Sequence, residues 1–153
     1  MISTQFVTMG PATIIERFVL SHDDLTDADG SQTITLKALS KGTIIKGIRI
    51  KHSTAFTGGG ASSCTCSVGS AAGAVNSFAA AFDIFQAVAD TTAQMTSGWK
   101  ANTYAADTLQ ATIDADVDVA DLTAGVVNID VEYWMFPDLT ATGIPAGTGG
   151  GYL

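Results

Sequence analysis

Positive charge is scarce in this chain. Seven Lys and Arg stand against fifteen Asp and Glu over 153 residues, a net charge of −8. A protein this acidic repels phosphate backbones, so nucleic acid is not an expected partner. Cysteine is nearly missing, with Cys64 and Cys66 the only two. Two positions apart on an extended chain they share a face, and bridging them would strain the backbone. They read as buried reduced thiols, which suits assembly in a cytoplasm. A lone C-x-C with no second pair of ligands makes no zinc site. Histidine is equally sparse, at His22 and His52. No G-x-S-x-G, H-E-x-x-H or phosphate-loop pattern surrounds them, so no catalytic machinery or cofactor is expected. No apolar run approaches the ~20 residues that span a bilayer, and Met1 to Gly10 lacks the basic start and apolar stretch of a secretory leader. No membrane association is expected either.

What remains suits a single all-β domain. The length is that of one domain, able to bury about two thirds of its unfolded surface without staples. The hydrophobic fraction of 46% is ordinary, while the charged fraction of 14% lies well below the ~25% of an average domain. Much of the surface must therefore be neutral Ala, Thr, Gly and Ser, as suited to lying against another protein as to facing water.

The strongest pattern runs from Thr43 to Phe56. Ile44, Ile48, Ile50, His52, Thr54 and Phe56 alternate with Arg49, Lys51 and Ser53, which predicts a strand with one buried and one wet face. Gly47 beside the misfitting Lys46 predicts a bulge. Ser31 to Leu39 alternates too, with Ile34, Leu36 and Ala38 against Thr33, Thr35 and Lys37. The Ser40-Lys41-Gly42 turn then predicts a hairpin between the two segments. Ala12 to Leu20 is a further strand, its alternation interrupted by Glu16 and Arg17.

Ser62 to Gly69 sets Cys64, Cys66 and Val68 inward. Phe78 to Val88 fits either period and is assigned to a strand over Ala81–Ala87. Thr91 to Ala106 reads as a long connection. Asp107 to Asp114 alternates again. In the last strand Val127, Ile129, Val131, Tyr133 and Met135 face in, and Asn128, Asp130 and Glu132 face out. Seven or eight strands separated by turn signals predict an antiparallel β-sandwich or jelly roll. The chain divides into an N-terminal arm (1–11), the sandwich (12–136) and a flexible Gly-, Thr- and Pro-rich tail (137–153).

Two acidic segments, 23–30 and 114–121, invite a calcium reading. In the first, Asp27-Ala28-Asp29-Gly30 matches the middle of an EF-hand loop, but the first and last ligand positions would fall on Leu25 and Leu36. Solvated turn carboxylates are the plainer reading. His52, on an apolar face, reads as a core or interface histidine. The basic residues are more informative. Lys37, Lys41, Lys46, Arg49 and Lys51 are five of the seven and fall within one segment. Read plainly, they form a solvated strand face. Read as a contact, they meet acidic surface on another copy or another protein. Trp134 and Phe136 must point away from the domain's own core, into a partner or beneath the tail, and Tyr152 and Leu153 are candidate anchors at its end.

The segments GTIIKGIRIKHSTAFTGG, AFDIFQAVADTTAQ and LTAGVVNIDVEYW, in this order, resemble small virion proteins of tailed bacteriophages, most closely jelly-roll capsid decoration (cement) proteins. The likeness covers about Gln32 to Trp134. The acidic stretch 114–121 and the Gly-rich tail depart from the pattern. The resemblance implies a structural role on the outer surface of the phage head, with the protein made in the host cytoplasm. It further implies a homotrimer that clamps neighbouring subunits of the major capsid protein. It carries over no catalytic residue. The other class compatible with these features is a head-fibre or tail-associated module that binds a receptor or glycan, with Trp99 or Trp134 as its platform.

Overall fold

The computed structural model describes residues 12–85, 100–102 and 107–135. Eight strands appear in chain order: β1 (Ala12–Ser21), β2 (Ser31–Leu39), β3 (Thr43–Gly58), β4 (Cys64–Ser70), β5 (Ala79–Asp83), β6 (Lys100–Asn102), β7 (Asp107–Ala115) and β8 (Leu122–Met135). They build two four-stranded sheets, in the orders β1-β8-β3-β6 and β2-β7-β4-β5. Every pairing is antiparallel. Among the described strands, only consecutive β4 and β5 share a sheet. All other consecutive pairs cross between layers, which is the winding of an eight-stranded jelly roll.

That winding removes the hairpin expected between β2 and β3. The turn itself forms, with the Thr43 N–H on the Ser40 carbonyl at 3.1 Å. It carries the chain from one sheet to the other, so β2 pairs with β7 and β3 with β8. Both strands own an apolar face, and facing each other across the core buries both faces. Pairing side by side would leave the same faces needing a cover.

The core lies between the sheets. Ile45, Ile48, Ile50 and Phe56 of β3 and Val127, Ile129, Val131 and Tyr133 of β8 supply one wall, and Cys64, Cys66, Val68, Leu109, Ala111 and Ile113 supply the other. Each large side chain fully buried here contributes roughly 1.5–3 kcal/mol. His52 is 1% exposed on the same inner face, its ring tilted against Phe82. It is packed out of reach of solvent.

Bulges explain where simple alternation fails. A register shift between Ile45 and Gly47 turns Ile45 inward and leaves Ile44 half-buried on the outer side. A second shift beyond His52 exposes Thr54. In β2 a shift between Thr35 and Lys37 exchanges faces, so Ala38 is exposed, Leu39 is buried and Lys37 turns towards the sandwich edge. Met135, expected to face in, is 37% exposed because β8 outruns the core.

β1 alternates more regularly than its composition suggests. Ile14, Glu16, Phe18 and Leu20 lean inward, and Thr13, Ile15, Arg17 and Val19 lie outside. Glu16 can lean inward because Lys37 Nζ and the Tyr133 hydroxyl both donate to its Oε2, at 2.8 and 2.9 Å. β5 covers Ala79–Asp83 and not Ala81–Ala87, of which 86 and 87 lie outside the described residues. The stretch read as connection contains β6, pairing Lys100–Asn102 with Thr43–Ile45.

Candidate interaction face

The outer surface of the first sheet collects the features that set this chain apart. Cross-strand partners share a face, so the register fixes its rows. Thr13, Trp134 and Ile44 form one row, and Ile15 with Glu132 and Gly47 forms the next. Arg17, Asp130 and Arg49 follow, then Val19, Asn128 and Lys51. Lys46 reaches onto this surface from the bulge, with Nζ 2.9 Å from Glu132 Oε1 and 4.4 Å from the centre of the Trp134 ring. The face therefore carries four cations and two carboxylates, a net positive patch on a molecule of net charge −8.

Neighbouring side chains hold these groups in place. The Arg17 guanidinium donates to both carboxylate oxygens of Asp130, at 2.6 and 2.9 Å. These bonds, with Arg17 and Arg49 nearby, hold the Asp130 carboxyl below the usual carboxylate range despite its partial burial. The Trp134 indole N–H donates to Thr13 Oγ1 at 2.7 Å, while Lys46 lies over its ring, an arrangement that favours the cation. Ile15 is 72% exposed and Val19 56%, which is unusual for β-branched residues on an edge strand.

Of the basic residues singled out from the sequence, the structure brings Lys46, Arg49 and Lys51 together. Lys41 sits in the exposed turn before β3. Lys37 belongs elsewhere: its ammonium bridges the two sheets through Glu16 and lies 5.5 Å from the Tyr133 ring centre. Arg17, Ile15 and Val19 complete the face and were not visible as members of it. They lie far from β3 in sequence and join it only through β8. Trp134 is on this face. Phe136, Tyr152, Leu153 and Trp99 lie outside the described residues.

The carboxylates gather at one end of the sandwich. The Ala115, Val119 and Ala120 N–H groups bond the Gly30, Asp29 and Asp27 carbonyls at 2.7, 2.9 and 3.2 Å, which zips the two acidic segments together. Several of their carboxylates organise the loops. Asp24 accepts from the Ser21 N–H at 2.8 Å. Asp116 accepts from the Ser62 hydroxyl and from the Ser62 and Ser63 N–H groups, and these bonds pull its carboxyl down to about 2. Among the described residues no three His, Cys, Asp or Glu side chains are placed to hold a metal ion. Cys64 and Cys66 are buried and unpaired with each other, and burial pushes both thiols up to about 12.

Among the described residues, these features define a jelly roll of eight strands with a cation-bearing outer face and an acidic end. No protein-family pattern matches the sequence, and no curated protein does. Among solved structures it is similar to a chain of the capsid asymmetric unit of cyanophage Pam1. The TM-score there is 0.59 at 19% identity, over 82% of this chain and 86% of that one. A chain of the acidic stable capsid structure of Helicobacter pylori bacteriophage KHP30 gives 0.48 at 13%, over 82% and 94%. At such identities the first likeness is one of fold.

Proposed function

We propose that this chain is a non-enzymatic structural protein of a bacteriophage virion. In this reading it is a decoration protein that lies on the outside of the head and braces subunits of the major capsid protein. The observation that carries the proposal is the outer face of the first sheet. There, exposed Ile15 and Val19, half-buried Trp134 and four cations share a rigid surface, while eight carboxylates crowd the sandwich end. A surface of mixed apolar and basic character fits an acidic, partly apolar patch on a large neighbour. The acidic end is suited to solution. Likeness in fold to a chain from a phage capsid supports the same reading.

Incubating the purified protein with undecorated shells and pelleting the shells tests this. The wild type pellets at a fixed ratio to capsid subunits. The double variant Arg49→Glu/Lys51→Glu keeps its fold and binds at least about tenfold more weakly, and wild-type binding weakens as salt is added. A wild-type protein that stays in the supernatant overturns the proposal.

A further inference from the structure

Among the described residues, three of the four sheet edges are guarded. β6 is three residues long. β5 is five, and its register against β4 is broken. β2 bulges between Thr35 and Lys37 and places a lysine there. Shortness, bulges and lysines are three of the devices that keep an edge from pairing with another chain. β1 has none of them. It runs ten residues in unshifted register with β8, contains no Pro, Gly or Lys, and exposes Ile15 and Val19. Its two charges are neutralised within the chain, Glu16 by Lys37 and Arg17 by Asp130.

The side on which this edge is open can be read from its end. The Ser21 N–H donates to Asp24, and the carbonyl of Val126, its partner on β8, faces β3, where it accepts from the Ser53 hydroxyl at 3.5 Å. Alternate residues of an antiparallel strand turn their N–H and C=O groups to opposite sides. Thr13, Ile15, Arg17 and Val19 therefore share the open side with Ser21, and β8 is the only strand paired with β1 among the described residues.

We propose that β1 of a second copy closes this edge, antiparallel, about a two-fold axis through Arg17, joining two first sheets into one continuous sheet. This register sets Ile15 opposite Val19 of the second copy, and Val19 opposite its Ile15, giving two β-branched cross-strand pairs. A slip of two residues either way loses both pairs. Arg17 then meets its own equivalent, and the contact is tolerated because each guanidinium is already held by two bonds to Asp130. Strand pairing alone covers less than the ~1,200 Å² of a standard interface, so the pair is weak in dilute solution. Its product is two outer faces side by side, which would bind an extended surface with avidity. This two-fold contact differs from the three-fold arrangement that the resemblance implies.

The test uses the purified full chain alone, so its outcome is independent of shell binding. In sedimentation equilibrium from micromolar to millimolar protein, the wild type approaches twice the 15.7 kDa monomer mass. Ile15→Lys and Val19→Lys each weaken association by about tenfold or more, with an unchanged far-ultraviolet spectrum since both side chains are exposed. Under mild oxidation Arg17→Cys forms a covalent pair and Thr13→Cys does not, because position 13 faces position 21 about this axis. The buried native thiols do not compete. A protein monomeric over the whole range overturns the proposal. So does an oligomer indifferent to both lysine substitutions, or Thr13→Cys cross-linking as fast as Arg17→Cys.

Discussion

At the residue scale, Gly125 shows how tightly the layers meet. It sits in β8 at φ +148°, and a Cβ built there would lie 2.4 Å from the Phe56 ring. Phe56 is fully buried, so the ring cannot swing out into solvent to make room. Gly125→Ala should therefore cost about 2–3 kcal/mol, read as a lowered denaturant midpoint. Gly60, with φ +83° and open space around it, should cost only the backbone strain of about 1 kcal/mol. Asp116 gives a pH signature. Its carboxyl titrates at about 2, against 3.8 for an unperturbed one. A depressed folded value means that its stabilisation is present above the unfolded value and is lost as the pH falls through the folded one. Unfolding scans should show stability falling between about pH 4 and pH 2, and Asp116→Asn should flatten that part of the fall.

At the scale of elements, the edges β1 and β2 are tied across the sandwich by Lys37, Glu16 and Tyr133. A double-mutant cycle on Glu16→Gln and Lys37→Met measures the charge pair within that tie. Both side chains are about one third exposed, 36% and 33%, so solvent screening limits the coupling to about 0.5–1 kcal/mol. A coupling near zero would mean that Tyr133 alone holds Glu16. The same elements show what was legible beforehand. β7, β8 up to Tyr133 and the middle of β3 from Ile48 to His52 follow period-2 patterns, and their inward apolar residues could be named from the sequence. Ile44, Thr54 and Met135, expected inward, lie outside. A bulge can be anticipated at Gly47 but not at Leu36, where no glycine marks the shift, so alternation alone puts Lys37 on the wrong face. A three-residue strand such as β6 leaves no periodicity to read. Turn chemistry at Ser40–Gly42 is the same whether the chain reverses within a sheet or crosses to another, so the turn was foreseen and the hairpin was not.

Across the whole molecule, charge and exposed apolar area are distributed unevenly. Local alternation told which residues of β3 and β8 face outward. It could not tell that β1 lies beside β8, which is a consequence of long-range winding and brings Arg17, Ile15 and Val19 onto the face. The acidic segments were visible as sequence runs. Their meeting at one end required the backbone bonds between Asp27–Gly30 and Ala115–Ala120. If the first sheet's outer face is the docking surface, a shell should shield that face and leave the acidic end open to solvent. Side-chain footprinting of the protein bound to undecorated shells measures this directly. Trp134, Lys46 and Lys51 should lose reactivity on binding while half-buried Val117, in the acidic loop, keeps its own. Protection centred on the acidic loops, with Trp134 and Lys51 as reactive as in the free protein, would contradict this.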